Sequence, residues 1–110
     1  MSAASIPVVE VNAVPEDGYL LDVREDDEWR AGHAPGAVHI PLGELARRAG
    51  EIPRDAQVYV VCRVGGRSAQ AVQVLNEAGW RTANVAGGMS AWALAGRPMV
   101  SEDGRSPVVV

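Results

Sequence analysis

Cys62 is the only cysteine in the 110-residue chain, and it heads the stretch Cys62-Arg63-Val64-Gly65-Gly66-Arg67-Ser68. The apolar run Val58-Tyr59-Val60-Val61 precedes it, and a helix-like stretch over 68–78 follows. A thiol at such a junction meets backbone N–H groups and the positive end of a helix dipole, both of which favour a negative atom. A free thiol ionises near pH 8.5, and these surroundings together with cations lower that to roughly 3.5–7.5. Gly65 and Gly66 let the backbone curl so that successive N–H groups point inward as an anion nest. Arg63 and Arg67 place two cations within five residues of the sulfur, and Arg67 adds a planar donor fork. Ser68 can cap the first turn of the helix. The chemistry suited to this pattern is that of a held, nucleophilic sulfur anion.

Such a loop needs elements that present it. Strand-length apolar runs at 8–11, 19–23, 38–40, 58–61 and 83–85 alternate with helix-like segments at 26–31, 44–49, 68–78 and 89–95. Several of the strands are continuously apolar, which implies cover on both faces, as in a parallel sheet. Gly32, Gly50, Gly79 and Gly96 follow the four helices as end signals. The first helix opens on Glu25-Asp26-Asp27-Glu28, a run that opposes the helix dipole favourably. In the third, Ala71, Val74, Leu75 and Ala78 form the inner face, and Gln70, Gln73, Asn76 and Glu77 point outward. The expectation is a three-layer α/β/α domain with a mainly parallel five-stranded sheet over residues 6–100. Residues 1–5 and 101–110 read as flexible termini, although the final valines could extend a sheet edge.

In open parallel sheets ligands sit beyond the carboxyl ends of the strands. Those ends here are Asp22-Val23-Arg24, Pro41, Cys62 and Ala86-Gly87-Gly88. Asp22 and Arg24 read as an ion pair or turn bond supporting the loop, in preference to direct catalysis. His33, in a Gly-His-Ala-Pro-Gly connector, reads as a structural hydrogen-bonder, since a thiolate already formed needs no base. Trp92 reads as core, with the loop's mouth as the lesser possibility.

Composition narrows the rest. A net charge of −4 and a pI near 5.0 argue against nucleic-acid or anionic-membrane partners. One Cys and two His make no metal cluster of recognisable spacing, and a lone cysteine excludes an internal disulfide or dithiol cycle. No cofactor is called for. The N-terminus carries neither a basic n-region nor a long apolar stretch, so a cytoplasmic location is expected, where a thiol stays reduced.

Four stretches together resemble the rhodanese-like domains. Cys62, Gly65, Arg67 and Ser68 match that family's C-x-x-G-x-R-S loop. Leu21-Asp22-Val23-Arg24, Gly32-His33-Ala34-Pro35-Gly36-Ala37-Val38-His39-Ile40-Pro41 and Val85-Ala86-Gly87-Gly88-Met89-Ser90-Ala91-Trp92 follow the family's order. The resemblance implies a single-domain sulfurtransferase of the thiosulfate type, in which Cys62 takes a sulfane sulfur, becomes a persulfide and passes it on. Arg63 and Arg67 would steady an anionic donor such as thiosulfate, and the loop Arg63 to Ser68 would bind it. The acceptor, an external thiol, cyanide or a protein, must come from outside a chain with no second cysteine. Related cysteine-dependent phosphatases place five residues between Cys and Arg, against four here, and the narrower cradle favours a sulfur over a phosphate. Two other roles fit the same fold: a persulfide carrier for a partner protein, and an interaction module without catalysis. The intact Cys62 and Arg67 speak against the last.

Overall fold

The computed structural model describes residues 5–110. Its centre is a five-stranded sheet of β1 (Val8–Val9), β2 (Tyr19–Asp22), β3 (Val38–His39), β4 (Gln57–Val61) and β5 (Arg81–Val85). The strands lie in the order β1-β5-β4-β2-β3, and every pairing is parallel. Helices α1 (Asp26–Ala31), α2 (Leu45–Arg48), α3 (Gly66–Glu77) and α4 (Gly88–Leu94) connect and flank it. The result is the expected three-layer α/β/α architecture.

The apolar runs serve both faces of the sheet. Leu21, Val58 and Val60 pack with Leu45 of α2 and with Ala71, Val72 and Leu75 of α3. Leu20, Val61 and Val85 face the other way, onto Met89 and Trp92 of α4 and onto Val11 and Val14. Adjacent residues such as Leu20 and Leu21 therefore both belong to core, which is why the strands read as continuous apolar runs. Each fully buried side chain of this size contributes roughly 1.5–3 kcal/mol. The central strand β4 carries this core on both sides, and Cys62 is the residue immediately beyond it.

Several boundaries differ from the sequence reading. The first strand keeps only two residues, because the chain turns at 11–13 to bury Val11 in the second core. The second helix is a single α turn between two 3-10 turns. α3 begins at Gly66, so Ser68 lies inside the helix and caps nothing. Its buried residues are Ser68, Ala71, Val72 and Leu75, while Val74, expected inside, is 56% exposed. Asn76, expected outward, clamps the sheet: its side-chain oxygen accepts from the Thr82 N–H and hydroxyl, and its nitrogen donates to the Thr82 carbonyl. Pairing of Gln57 and Val58 with Arg81 and Thr82 carries β5 back to Arg81, two polar residues earlier than apolar character indicates.

Of the termini expected to be flexible, residues 1–4 lie outside the described residues. Residues 101–110 form no helix or strand but run along the end of α1. Glu102 N–H donates to Arg30 O at 2.9 Å, and Val108 N–H to Ala31 O at 3.0 Å. Gly32 lies against this tail, where a Cβ would come within 2.5 Å of Val108 O. The final valines thus meet a helix end, not a sheet edge. No helix among the described residues is long and apolar enough to cross a membrane.

Candidate active site

Cys62 is buried, with its sulfur turned into the loop that follows. Gly65, at φ +118°, is the left-handed residue that turns the chain into α3. Its N–H donates to Cys62 Sγ at 3.1 Å. The Ser68 hydroxyl lies 3.2 Å from the same sulfur. Burial pushes the thiol up, but hydrogen bonds from Ser68, Gly65 and Val64 outweigh it and bring the thiol below its ordinary value. The nest anticipated from Gly65 and Gly66 is thus formed by the loop's N–H groups, with Gly65 alone in the left-handed region and Gly66 already helical.

The loop is also held from behind. α4 starts on Gly87 and Gly88, at φ +74° and +58°, and points its first N–H groups at the loop's carbonyls. Met89 N–H donates to Cys62 O at 2.8 Å, and Ser90 N–H to Arg63 O at 3.0 Å. A Cβ on Gly88 would collide with Cys62 O and stand 2.6 Å from Arg63 O. The glycine pair therefore lets one helix end dock against the nucleophile's own backbone. Sequence reasoning saw only a sharp turn there.

Arg67 occupies a different position from the free donor fork expected of it. Its guanidinium grips Glu28 of α1 through two bonds, at 2.7 and 2.8 Å. Glu28 also accepts from the Glu25 N–H in a reciprocal capping box that starts α1. Arg67, foremost, with the Glu25 N–H and Arg24, holds the Glu28 carboxyl down to about 2 against its usual 4.5, despite the opposing effect of burial. Such a depressed carboxylate adds stability above its unfolded value, and that stability is lost as pH falls from 4.5 through about 2. Glu28→Gln is expected to destabilise the domain at neutral pH by about 1–2 kcal/mol, between exposed and buried pairs. It should also flatten the acid limb between those two pH values in denaturant melts. An unchanged acid limb would contradict the pairing. The Glu-x-x-Glu spacing ahead of a helix was the available sequence sign of Glu28's capping role, and it carried no sign of the bond to Arg67.

Asp22 and Arg24 form a fully buried pair, with Nη2 to Oδ2 at 2.8 Å and Nε to Oδ1 at 3.0 Å. Arg24 Nη2 reaches on to Gly32 O at 2.7 Å, and Arg24 O receives His39 Nε2 at 2.7 Å. The pair makes no hydrogen bond to the Cys62 loop. It ties β2 to the end of α1, which in turn presents Glu28 to Arg67, so the support is indirect. Arg63 and Val64 are exposed at the loop's tip, Val64 at 58%.

His33 is buried, with Nδ1 on Trp29 O at 2.8 Å and Nε2 near Glu102 at 3.3 Å. Its ring stacks on Trp29 at 3.5 Å, and neither nitrogen bonds the loop. Trp92 is buried in the second core and donates its indole N–H to Pro98 O. Among the described residues no group of three or more His, Cys, Asp or Glu is placed to hold a metal.

Asn84 was read only as part of the strand-length run at 83–85. It is a polar residue near the end of the otherwise apolar stretch Ala83-Asn84-Val85, and it touches both Ser68 and Gly65.

A parallel sheet with a lone cysteine beyond its central strand, inside a nest closed by a second helix, invites comparison with known domains. The family described as rhodanese-like domain matches residues 9–95. This chain is a rhodanese-like domain. It is 40% identical over 90 residues to a sulfurtransferase of Allochromatium vinosum, across 81% of this chain and 84% of the relative. A rhodanese-related protein from Thermoplasma volcanium superposes with a TM-score of 0.81 at 32% identity, over 86% of this chain and 97% of that one. Against YrkF of Bacillus subtilis, 38% identical over 98 residues, the chain spans about half the relative's length, 53%. Rhodanese-like domains thus occur both as nearly the whole of a chain and as part of a longer one.

Proposed function

We propose that this rhodanese-like domain is a sulfurtransferase with Cys62 as nucleophile. The observation that carries the reading is the buried Cys62 sulfur, facing a loop N–H and a hydroxyl in a cradle with four residues between Cys62 and Arg67. In the first step the thiolate attacks the outer sulfur of thiosulfate; the S–S bond to the sulfonate breaks and sulfite leaves with the electron pair. Cys62 becomes a persulfide, R–S–S⁻, whose outer charge the loop's N–H groups can hold. In the second step cyanide or an acceptor thiolate attacks that outer sulfur, and the Cys62 thiolate leaves. No oxidant, metal or cofactor enters this balance.

The two arginines divide their roles in this mechanism. Arg67, already matched by Glu28, fixes the base of the loop. Arg63 is the exposed cation that meets an incoming anionic donor. A reducing compartment such as the cytoplasm suits a thiol with no partner.

Parallel assays with thiosulfate plus cyanide and with an aryl phosphate test the reaction class. Thiocyanate formation without phosphate release is expected, and equal turnover of the two would overturn the assignment. A protein acceptor is favoured by one observation: exposed Val64 stands beside exposed Arg63 at the mouth, an apolar and cationic rim of the kind a protein surface covers. For a persulfide carrier, cyanide turnover is slow and a cognate protein accelerates it.

A further inference from the structure

The inference rests on the sulfur-transfer reading and concerns how its nucleophile is governed. Ser68 Oγ lies 3.2 Å from Cys62 Sγ and 2.5 Å from Asn84 Oδ1. A hydroxyl has one proton to give. The Asn84 amide decides where that proton goes. Its nitrogen lies 3.2 Å from Gly65 O, a carbonyl that only accepts, so the nitrogen faces Gly65 and the oxygen faces Ser68. Two oxygens 2.5 Å apart need a proton between them, and only Ser68 has one. The lone pairs of Ser68 Oγ are then turned to the sulfur, where they accept from a thiol but do not support a thiolate.

We propose that Asn84 is a positioning residue that draws the Ser68 proton away from Cys62, so that backbone N–H groups alone hold the sulfur's charge at rest. Asn84 is 7% exposed and Ser68 fully buried, so no solvent competes for these bonds. The amide is itself locked by the carbonyl of Gly65, whose N–H serves the sulfur. One residue of β5 thereby couples the loop's backbone to the availability of its hydroxyl. The charged groups around the site are Arg67 with its partner Glu28 from α1, and exposed Arg63; α4 carries none. None of them is altered in the variants below.

The test is the pH dependence of Cys62 alkylation by iodoacetamide, followed by intact mass, in the wild type, Asn84→Ala, Ser68→Ala and the double variant. Loss of the amide frees the hydroxyl to turn to the sulfur. The midpoint for Asn84→Ala should move to lower pH, with alkylation at about pH 6 rising roughly threefold, the equivalent of half a pH unit. Ser68→Ala should leave the midpoint near that of the wild type, and the double variant should lose the gain of Asn84→Ala. A purely structural role predicts the opposite direction, since a loosened Gly65 withdraws its N–H from the sulfur. An unmoved or higher midpoint in Asn84→Ala, or a double variant that keeps the gain, overturns the inference. If the alanine variant fails to fold by circular dichroism, Asn84→Leu, of similar volume and without an acceptor, must show the same downward shift. Sulfur transfer by the wild type together with an unmoved Asn84→Ala midpoint defeats this inference alone. Failure of the wild type to take up sulfur defeats the functional reading instead, and leaves the order of midpoints measurable.

Discussion

Cys62→Ser is expected to lower sulfur transfer by about a thousandfold or more while leaving the domain folded. A hydroxyl at this position is neither appreciably ionised near neutral pH nor nucleophilic enough to open a sulfur–sulfur bond. Serine is close in shape to cysteine and still accepts from the Gly65 N–H, so the nest should close around it. The two should therefore separate: thermal melts within a few degrees of the wild type, and thiocyanate production at background. No second cysteine can take over the role. A variant that retained a tenth of the wild-type rate would place the nucleophile elsewhere.

The largest expected effect on stability comes from Gly88→Ala. A residue with a Cβ pays about 1–2 kcal/mol for the left-handed region alone. Here the added carbon would also collide with Cys62 O and stand 2.6 Å from Arg63 O. Both are backbone atoms of the loop and cannot rotate away. Relief requires α4 to withdraw, which breaks the Met89 and Ser90 bonds to those same carbonyls. A total loss of about 4 kcal/mol is expected, at the severe end for single substitutions, with Tm lower by about 15–25 °C. The loop's grip on the sulfur should fall with it, so sulfur transfer at a temperature where the variant is still folded should drop too. Gly87→Ala is the control: its Cβ meets the Ala91 side chain at 2.6 Å, away from the loop. It should cost stability while sparing the transfer rate of folded protein. Equal rate losses in the two variants would contradict the docking of α4 on the Cys62 loop.

The layers of the fold were legible because its strands are buried on both faces and so announce themselves as apolar runs. α1 was read to the residue, since acidic residues mark its start and Gly32 its end. The sequence was least informative where a side chain replaces backbone. Asn76 binds the N–H, hydroxyl and carbonyl of Thr82 near the start of β5, and nothing in apolar patterning reports such a clamp. The loop's chemistry was readable from Cys62, the glycines and Arg67, all neighbours in the chain. The pieces that complete the site arrive from a distance. Glu28 lies 39 positions before Arg67, and Asn84 lies 16 after Ser68. Pairings of that kind are set by the sheet order, which places β5 and β2 on either side of β4, and no local spacing encodes them.

The occupied fork of Arg67 also changes how the cradle is understood. An arginine already satisfied by a carboxylate stiffens a loop more than it attracts a second anion, and it leaves the N–H groups as the main support for negative charge on sulfur. That arrangement suits a small, diffuse persulfide anion, whose charge sits on one atom within the nest.

The central claim, that Cys62 receives and holds a single sulfur, is tested most directly by the intact mass of the wild-type protein after incubation with thiosulfate and removal of excess donor. The predicted result is one added sulfur atom, localised to Cys62, discharged by cyanide with return to the starting mass and absent from Cys62→Ser. A wild-type protein that gains no sulfur, or gains it equally in Cys62→Ser, would contradict the account.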